Sequence, residues 1–458
     1  MPGLNTSLSI AVQALQAEQG ALSVTTNNIS NVNTPGYSRQ VATLNESPTF
    51  HENGTTFGGG VTLEQFQSVR DQLLQLRLYE ETQQQSNSET QFNSLTQIEG
   101  IFSDPTQGVG GALSAFFNSL SQLSTNPTDA NARQQVLTAA NNLANQFHQA
   151  VTGLQTIQSG LDQAVPQTVD QINRLTTQIA KLNGQVVQMQ GLGQDPGTIQ
   201  DQRDELIRQL SGMVNISVTQ TEHGLTLTTA NGVPLVVANQ SFDLKSGTGS
   251  GSTLQDVFSA QGQEITTQIR GGQLGGTLQV RDQVIPQVLS QLDTLASQFA
   301  NSFNTKHQAG FDASGNPGGN FFTPPAAVAG AAAGFAVAIT DPRLIAASSD
   351  GSVGSNGNLA QLLAIRAQQL PSGASPMDMY SNLVLQVGNL GANAQANVTA
   401  SNLSVRQITD QRSSVSGVSL DEETTNMIRF QRAYQAGARV VTTVDSMFDT
   451  LMNMGVVG

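Results

Sequence analysis

Cysteine and tryptophan are absent from this chain, lysine occurs only at Lys181, Lys245 and Lys306, and charged residues make up just 11% of the 458 positions. The lack of cysteine removes disulfides, thiol nucleophiles and thiolate metal sites together. It also suits a protein that passes from a reducing to an oxidising compartment, although many proteins lack cysteine without making that journey. The scarcity of cations, with a net charge of −14, argues against nucleic acid as a partner, because phosphate binding needs clustered Lys and Arg. It argues equally against an anionic lipid surface. No stretch reaches the ~18 consecutive apolar residues of a membrane span. No Lys or Arg precedes Arg39, so the basic start of a secretory signal is missing. By ordinary rules the chain reads as cytosolic, and an external location calls for another export route.

Catalytic constellations are missing too. His51, His148, His223 and His307 are far apart in the sequence, and His51-Glu52 lacks the second histidine of a zincin. None of the three lysines follows the glycines of a phosphate loop, and no GxSxG elbow occurs. Asp312-Ala-Ser314-Gly-Asn316 faintly suggests a calcium loop, but Thr323 stands where the twelfth-position acid belongs. A polar turn is the better reading. Asp201 and Asp204 flank Arg203 as an acid pair, which at the start of a helix suits capping and an ion pair. Neither catalytic residues, nor a cofactor, nor a metal site are expected.

What is present is periodicity. Leu8, Leu15, Leu22 and Ile29 recur every seven residues, and Thr34-Pro35-Gly36 then stops the helix. The far end repeats this design with Leu420, Met427, Tyr434, Val441 and Phe448 at the same interval, Leu451 lying three beyond. Ser419 and Glu422 have capping-box spacing, and Asp421 to Glu423 suit the positive end of the helix dipole.

Between these ends, Val61 to about Leu210 reads as mostly helical, with breaks near Pro105 and Pro127 and a seam through Val165, Ile172, Leu175, Ile179, Leu182, Val186 and Met189. Gly191–Gly197 ends that seam, and Asp201 to Asp204 opens the next helix. The period then shifts to two around Val214–Val218, Leu225–Leu227 and Val233–Val237, with a turn at Asn231-Gly232, as in short antiparallel strands. Ser246–Thr253 reads as a loop and Ile265–Ile269 as a further strand. Helical pattern returns at Val288, Leu292, Leu295, Phe299 and Phe303, at Leu359–Arg366 and at Met377–Gln411, with Gly/Ala-rich loops at Gly310–Gly334 and Ser348–Asn358.

The expected fold is mainly α: long terminal coiled-coil helices, a helical-bundle body and a small antiparallel β-rich segment. The expected division is 1–60 with 412–458 as a terminal coiled-coil domain, 61–213 with 275–411 as the bundle, and 214–274 as the β-rich segment. Two long helices with narrow apolar seams return too little burial to offset the chain entropy of ordering them. They are expected to set firmly only when neighbours cover them, although an ordinary helical bundle would carry the same periodicity.

The run Thr26-Asn27-Asn28-Ile29-Ser30-Asn31-Val32-Asn33-Thr34-Pro35-Gly36-Tyr37 closely resembles the signature of flagellar axial proteins. Asn27, Asn28, Asn31, Pro35, Gly36 and Tyr37 are its defining positions. Asn426-Met427-Ile428 and Gln431 to Ala436 resemble the matching C-terminal end. Three further segments, Ser416 to Glu423, Asp201 to Leu206, and Phe303-Asn-Thr-Lys-His307 with Gly310-Phe311-Asp312, resemble the family of first hook-associated proteins within that class. Only a short stretch separates Phe321-Phe322 from the return helices, so the chain looks like a short form with a reduced outer domain.

The resemblance implies a non-enzymatic adaptor at the junction of hook and filament that polymerises with copies of itself. It implies contacts with hook protein and a second junction protein, and an extracellular location reached through the flagellar type III apparatus. It also implies an export chaperone on the C-terminal stripe. Another axial subunit, such as a hook, distal rod or flagellin-like protein, is the alternative.

Overall fold

The computed structural model describes residues 2–52, 55–103, 108–221, 224–249 and 251–455. The expected break at Pro105 and the histidine at position 223 lie outside them. The chain is mainly α, and its contacts divide it into two compact units: Met1–Gln83 with Gln171–Leu244 and Asn402–Gly458, and Gln84–Asp170 with Lys245–Ser401.

In the first unit α1 (Pro2–Ser30) ends where expected, ahead of Thr34-Pro35-Gly36. The chain then turns back as β1 (Gln40–Glu46), a small hairpin of β2 (Phe50–Glu52) and β3 (Thr55–Phe57), and β4 (Val61–Ser68). β1 and β4 pair antiparallel from Gln40 opposite Ser68 to Glu46 opposite Val61, with an irregularity after Thr43. Here the helical expectation from Val61 onward is corrected. Val61, Leu63 and Phe66 sit in a strand because Glu46, Leu44 and Ala42 of β1 stand opposite them and complete the ladder, and helix begins only with α2 (Gln72–Phe102). Gly20 lets the hairpin approach α1: a Cβ there would stand 2.6 Å from a Leu63 methyl.

After α3 (Val109–Thr125) comes α4 (Ala130–Gly191), which continues through Pro166, and then α5 (Gly197–Met213). The expected α4 seam is real. Val165, Ile172, Ile179 and Val186, spaced by seven, are sealed from solvent, while Leu175, Leu182 and Met189 are half-buried. The next four strands form one meander sheet in chain order: β5 (Ile216–Thr221), β6 (Gly224–Thr229), β7 (Pro234–Val237) and β8 (Gln240–Ser241). The turn at Gly232 has a φ of 86°, a conformation open to glycine at no steric cost.

In the second unit the expected loop at Ser246–Thr253 begins as a strand. β9 (Lys245–Thr248) pairs with β10 (Gln255–Phe258). Ile265–Ile269 is instead a 3-10 turn over Thr266–Gln268, its isoleucines buried without a ladder. α6 (Gly272–Gln279) runs through a π-helical turn, Val280–Val284, into α7 (Ile285–Gln308), and α8 (Gly357–Ala364) and α9 (Pro376–Ser416) follow. The π turn carries Arg281, 1% exposed, which donates to Asp162 of α4 at 2.8 Å, to the Gln255 carbonyl at 2.7 Å and to Asp282.

The scarce aromatics are concentrated in this unit. Phe116 and Phe117 of α3, Phe299 and Phe303 of α7, and Phe321, Phe322 and Phe335 interlock at ring-centroid distances of 4.7–6.2 Å. The Gly/Ala-rich stretch from Gly310 to Gly334 forms no regular element, yet it is packed onto this cluster. The Asp293 carboxylate accepts from the Gly330 and Ala332 amides and holds it there.

Candidate assembly interface

The final helix, α10 (Leu420–Gly455), lies against α1 in the first unit, so the two chain ends do form a pair. Their contact is thin. On α1 the sealed positions are Ala11, Ala17, Ala21, Val24, Thr25 and Asn28, while the expected seam residues Leu8, Leu15, Leu22 and Ile29 are half-buried. On α10, 36 residues long, only Glu423 and Val444 are buried among the described side chains. Met427, Val441, Phe448 and Leu451 are half-buried; Leu420 and Tyr434 are exposed, together with Ile428, Val440, Met447 and Met452. Gly437 lies beneath Leu15, where a Cβ would stand 3.1 Å from a methyl. The heptad therefore marks the width of an apolar face of which α1 covers only the middle. Glu18 sits in this seam. Burial raises its carboxyl above the ordinary range, Arg429 opposes that, and one of its oxygens has no partner.

Where α1 ends, the signature builds a polar knot. The Asn28 carboxamide, 1% exposed, acts as a piece of β-strand: its nitrogen donates to the Gln40 carbonyl at 2.8 Å and its oxygen accepts the Gln40 N–H at 2.9 Å. The same oxygen accepts the Tyr37 hydroxyl at 2.8 Å. Asn31 donates to the carbonyl and side-chain oxygen of Asn27 and caps the last turn. Gly36 turns the chain at φ 81°, and its carbonyl accepts from Arg412 of α9 at 2.8 Å. Pro35 is exposed on the turn.

Beyond the turn, Ser38 donates through its amide and hydroxyl to the two oxygens of Asp201 on α5, at 3.0 and 2.7 Å. Arg70, just after β4, bridges Asp201 and Asp204 at 2.8 and 2.9 Å and also reaches the Gly197 carbonyl. The acid pair thus holds Arg70, which sequence reasoning missed, more than its expected neighbour Arg203; the latter donates to Asn183 at 3.2 Å and more loosely to Asp204. Arg39 completes the knot. Its amide donates to the carbonyl of Ser416 at the end of α9 and its guanidinium pairs with Glu422 at the start of α10, both at 2.8 Å.

Burial dominates the electrostatics of this knot. It pushes the Asp201 carboxyl above its ordinary range although Arg70 and both Ser38 donors pull the other way. It pushes the Tyr37 phenol up to about 12, helped by the charges of Asp201 and Glu423. Beside the knot an open cleft of about 620 Å³ is lined by Asn27, Asn31, Gln178, Lys181, Gln185 and Glu205 among others. Its walls mix these amides with the charged Lys181, Asp201 and Glu205 and with apolar Pro35, Leu182 and Leu206.

The other candidates resolve into structure. The Asp312 carboxylate accepts from the Ser314 and Asn316 amides at 2.7 and 2.9 Å, which makes the suspected calcium loop a self-satisfied turn. His51 meets the Thr56 hydroxyl at 2.7 Å. Among the described residues no three His, Asp or Glu side chains gather as a metal site, and no helix is long and apolar enough to cross a membrane.

The two terminal helices and the asparagine-rich knot that ties them fall within segments that match flagellar axial families. Residues 8–37 match the family described as flagella basal body rod protein, and 395–454 match the flagellar basal body rod FlgEFG protein C-terminal family. Residues 95–322 match the helical domain of flagellar hook-associated protein FlgK. Flagellar hook-associated protein 1 of Bacillus subtilis is 32% identical over 98% of both chains, and that of Escherichia coli is 28% identical over 98% of this chain and all of its own. The chain belongs to the flagellar hook-associated protein 1 family. Those alignments run to 504 and 546 positions, so both relatives carry insertions that this 458-residue chain lacks. The fold also matches the flagellar hook junction protein FlgK of Burkholderia pseudomallei, at a TM-score of 0.67 and 19% identity over 74% of this chain and all of that one.

Proposed function

We propose that this protein is a structural subunit of the hook–filament junction, which polymerises through α1 and α10 and carries the filament without catalysing a reaction. The observation that carries the reading is the thin cover of α10. A 36-residue helix whose described side chains include two buried and six exposed large apolar ones cannot hold itself rigid by its own contacts. Copies of the same chain would supply the missing walls, and the half-buried Glu18 would find its missing partner there. The signature positions Asn27, Asn28, Asn31, Pro35, Gly36 and Tyr37 fix the angle at which the helix pair leaves the hairpin.

Hook protein on one side and a second junction protein on the other are the partners this role requires. Before assembly the apolar stripe of Leu420, Met427, Tyr434, Val441, Phe448 and Leu451 needs shielding, which an export chaperone would provide, with passage through the flagellar type III apparatus and an extracellular destination. Deletion of the gene is the test. Hooks without filaments, with flagellin shed into the medium, are expected; intact filaments on the deletion strain would refute the role.

A further inference from the structure

The motif Phe303-Asn-Thr-Lys-His307 followed by Gly310 has no part in the helix pair, and its histidine is wholly buried at the end of α7. Both ring nitrogens are committed to backbone. Nδ1 lies 2.8 Å from the Gly319 carbonyl oxygen, and Nε2 lies 2.9 Å from the Ala346 amide nitrogen. A carbonyl can only accept and an amide N–H can only donate. The partners therefore fix the ring as neutral, with the proton on Nδ1 and a lone pair on Nε2.

We propose that His307 is an acid-sensitive clasp that holds residues 310–348 over the aromatic cluster of the second unit and releases them when its ring is protonated. A proton on Nε2 would face the Ala346 N–H, turning a hydrogen bond into a clash of two donors at a fully buried ring. The segment it holds is the lid of the core. It contributes Phe321, Phe322, Phe335 and Ala332, each 2% exposed or less. Asn304, one turn earlier, accepts the Phe321 and Phe322 amides and donates to the Phe322 carbonyl, so the histidine and the asparagine grip the same strip of backbone. From the other side, Asn358 of α8 donates to the Ala346 carbonyl at 2.7 Å.

Among the described residues no counter-charge stabilises an imidazolium here. The charged groups of the surrounding elements are Asp293, spent on the Gly330 and Ala332 amides, and Lys306 on α7; Asp312, Asp341, Arg343 and Asp350 on the lid; and Asp129 and Arg133 near the start of α4. None of them hydrogen-bonds the ring, and each aspartate in the lid is already engaged: Asp312 by the Ser314 and Asn316 amides, Asp341 by Arg343, Asp350 by Ser348 and Ser352. Arg133 is spent on the Pro127, Pro342 and Ile345 carbonyls and Asp129 on the first amides of α4. Burial depresses the ring below its ordinary value of 6.5, the Gly319 carbonyl only partly opposing this. A group whose folded value is lowered and which is buried neutral is at full strength above 6.5, and its contribution is lost as pH falls from there toward the folded value.

Amide exchange on the full-length protein tests the clasp. The opening constant at Ala346 and over 310–322 should rise by about tenfold for each pH unit below 6.5 until the folded value is reached, with amides of the first unit such as Gln40 unmoved. His307→Gln should abolish this dependence. The nitrogen spectrum of the wild-type ring should show the Nδ1–H tautomer at pH 7.5, which keeps the proposal open to refutation even if the variant folds poorly. Protection at Ala346 that is flat from pH 7.5 to 5, an identical fall in the variant, or an imidazolium at pH 7.5 would each overturn it.

Discussion

Replacing Asn28 by alanine should loosen the knot more than any other single change in the signature. The carboxamide meets three groups at once: the Gln40 N–H, the Gln40 carbonyl and the Tyr37 hydroxyl, at 2.9, 2.8 and 2.8 Å. Each orphaned group costs ~1–3 kcal/mol when it stays away from water. Water can reach the half-buried Tyr37, so the lower part of the range applies to it. A loss of about 3–4 kcal/mol follows, or roughly two to three powers of ten in the local opening constant. Amide exchange at Ser38 and Gln40 reads it directly. Asn28→Asp makes the same point with a sign: it keeps both acceptor contacts but sets a carboxylate oxygen against the Gln40 carbonyl, so it should be as damaging at neutral pH and less so when protonated in acid. If Asn28→Ala changes exchange at Gln40 by less than about 1 kcal/mol, the carboxamide is not a strand surrogate and the reasoning fails.

Tyr37 should titrate only near pH 12 in the folded protein. Because that value lies above the free phenol at 10.0, its contribution is complete below pH 10 and is lost as pH rises from 10 toward 12; ultraviolet titration of wild type against Tyr37→Phe checks this. Arg281→Met leaves Asp162 without its buried partner and should cost about 3–5 kcal/mol in unfolding of the second unit, with part of the loss recovered by adding Asp162→Asn. Gly437→Leu puts a side chain where Leu15 already stands, so filament attachment should fail while the fold of the second unit is unchanged, as judged by near-ultraviolet circular dichroism of its phenylalanines.

The helices were legible because their seams repeat. Val165, Ile172, Ile179 and Val186 announce α4 by spacing alone, and the Pro35-Gly36 stop marks the end of α1. The β4 strand was not legible, since Val61 to Ser68 is a strand only by virtue of a partner across the β2–β3 hairpin, and ladder pairing leaves little local trace. The terminal heptads predicted where apolar side chains lie but not how far α1 reaches across them, which is why Leu420 and Tyr434 emerge exposed. The signature was visible as a string of asparagines, and its chemistry was not. Asn28, Asn173, Asn183 and Asn304 each bridge a helix to extended backbone, with Gln40, Leu244, Leu225 and Phe322 respectively. A carboxamide can both donate and accept, so it pairs with a strand edge as another strand would. That repeated device accounts for a chain rich in amides and poor in charge, and it could have been suspected from Asn183-Gly184 and Asn304 standing inside apolar helical stripes.

The account rests on α1 and α10 being unable to set without neighbours, and amide exchange on the purified, unassembled protein measures this directly. Residues 5–30 and 420–450 should exchange quickly in the monomer while the aromatic cluster of the second unit stays protected, and they should become protected in isolated flagella. Firm protection of both helices in the lone chain would contradict the account.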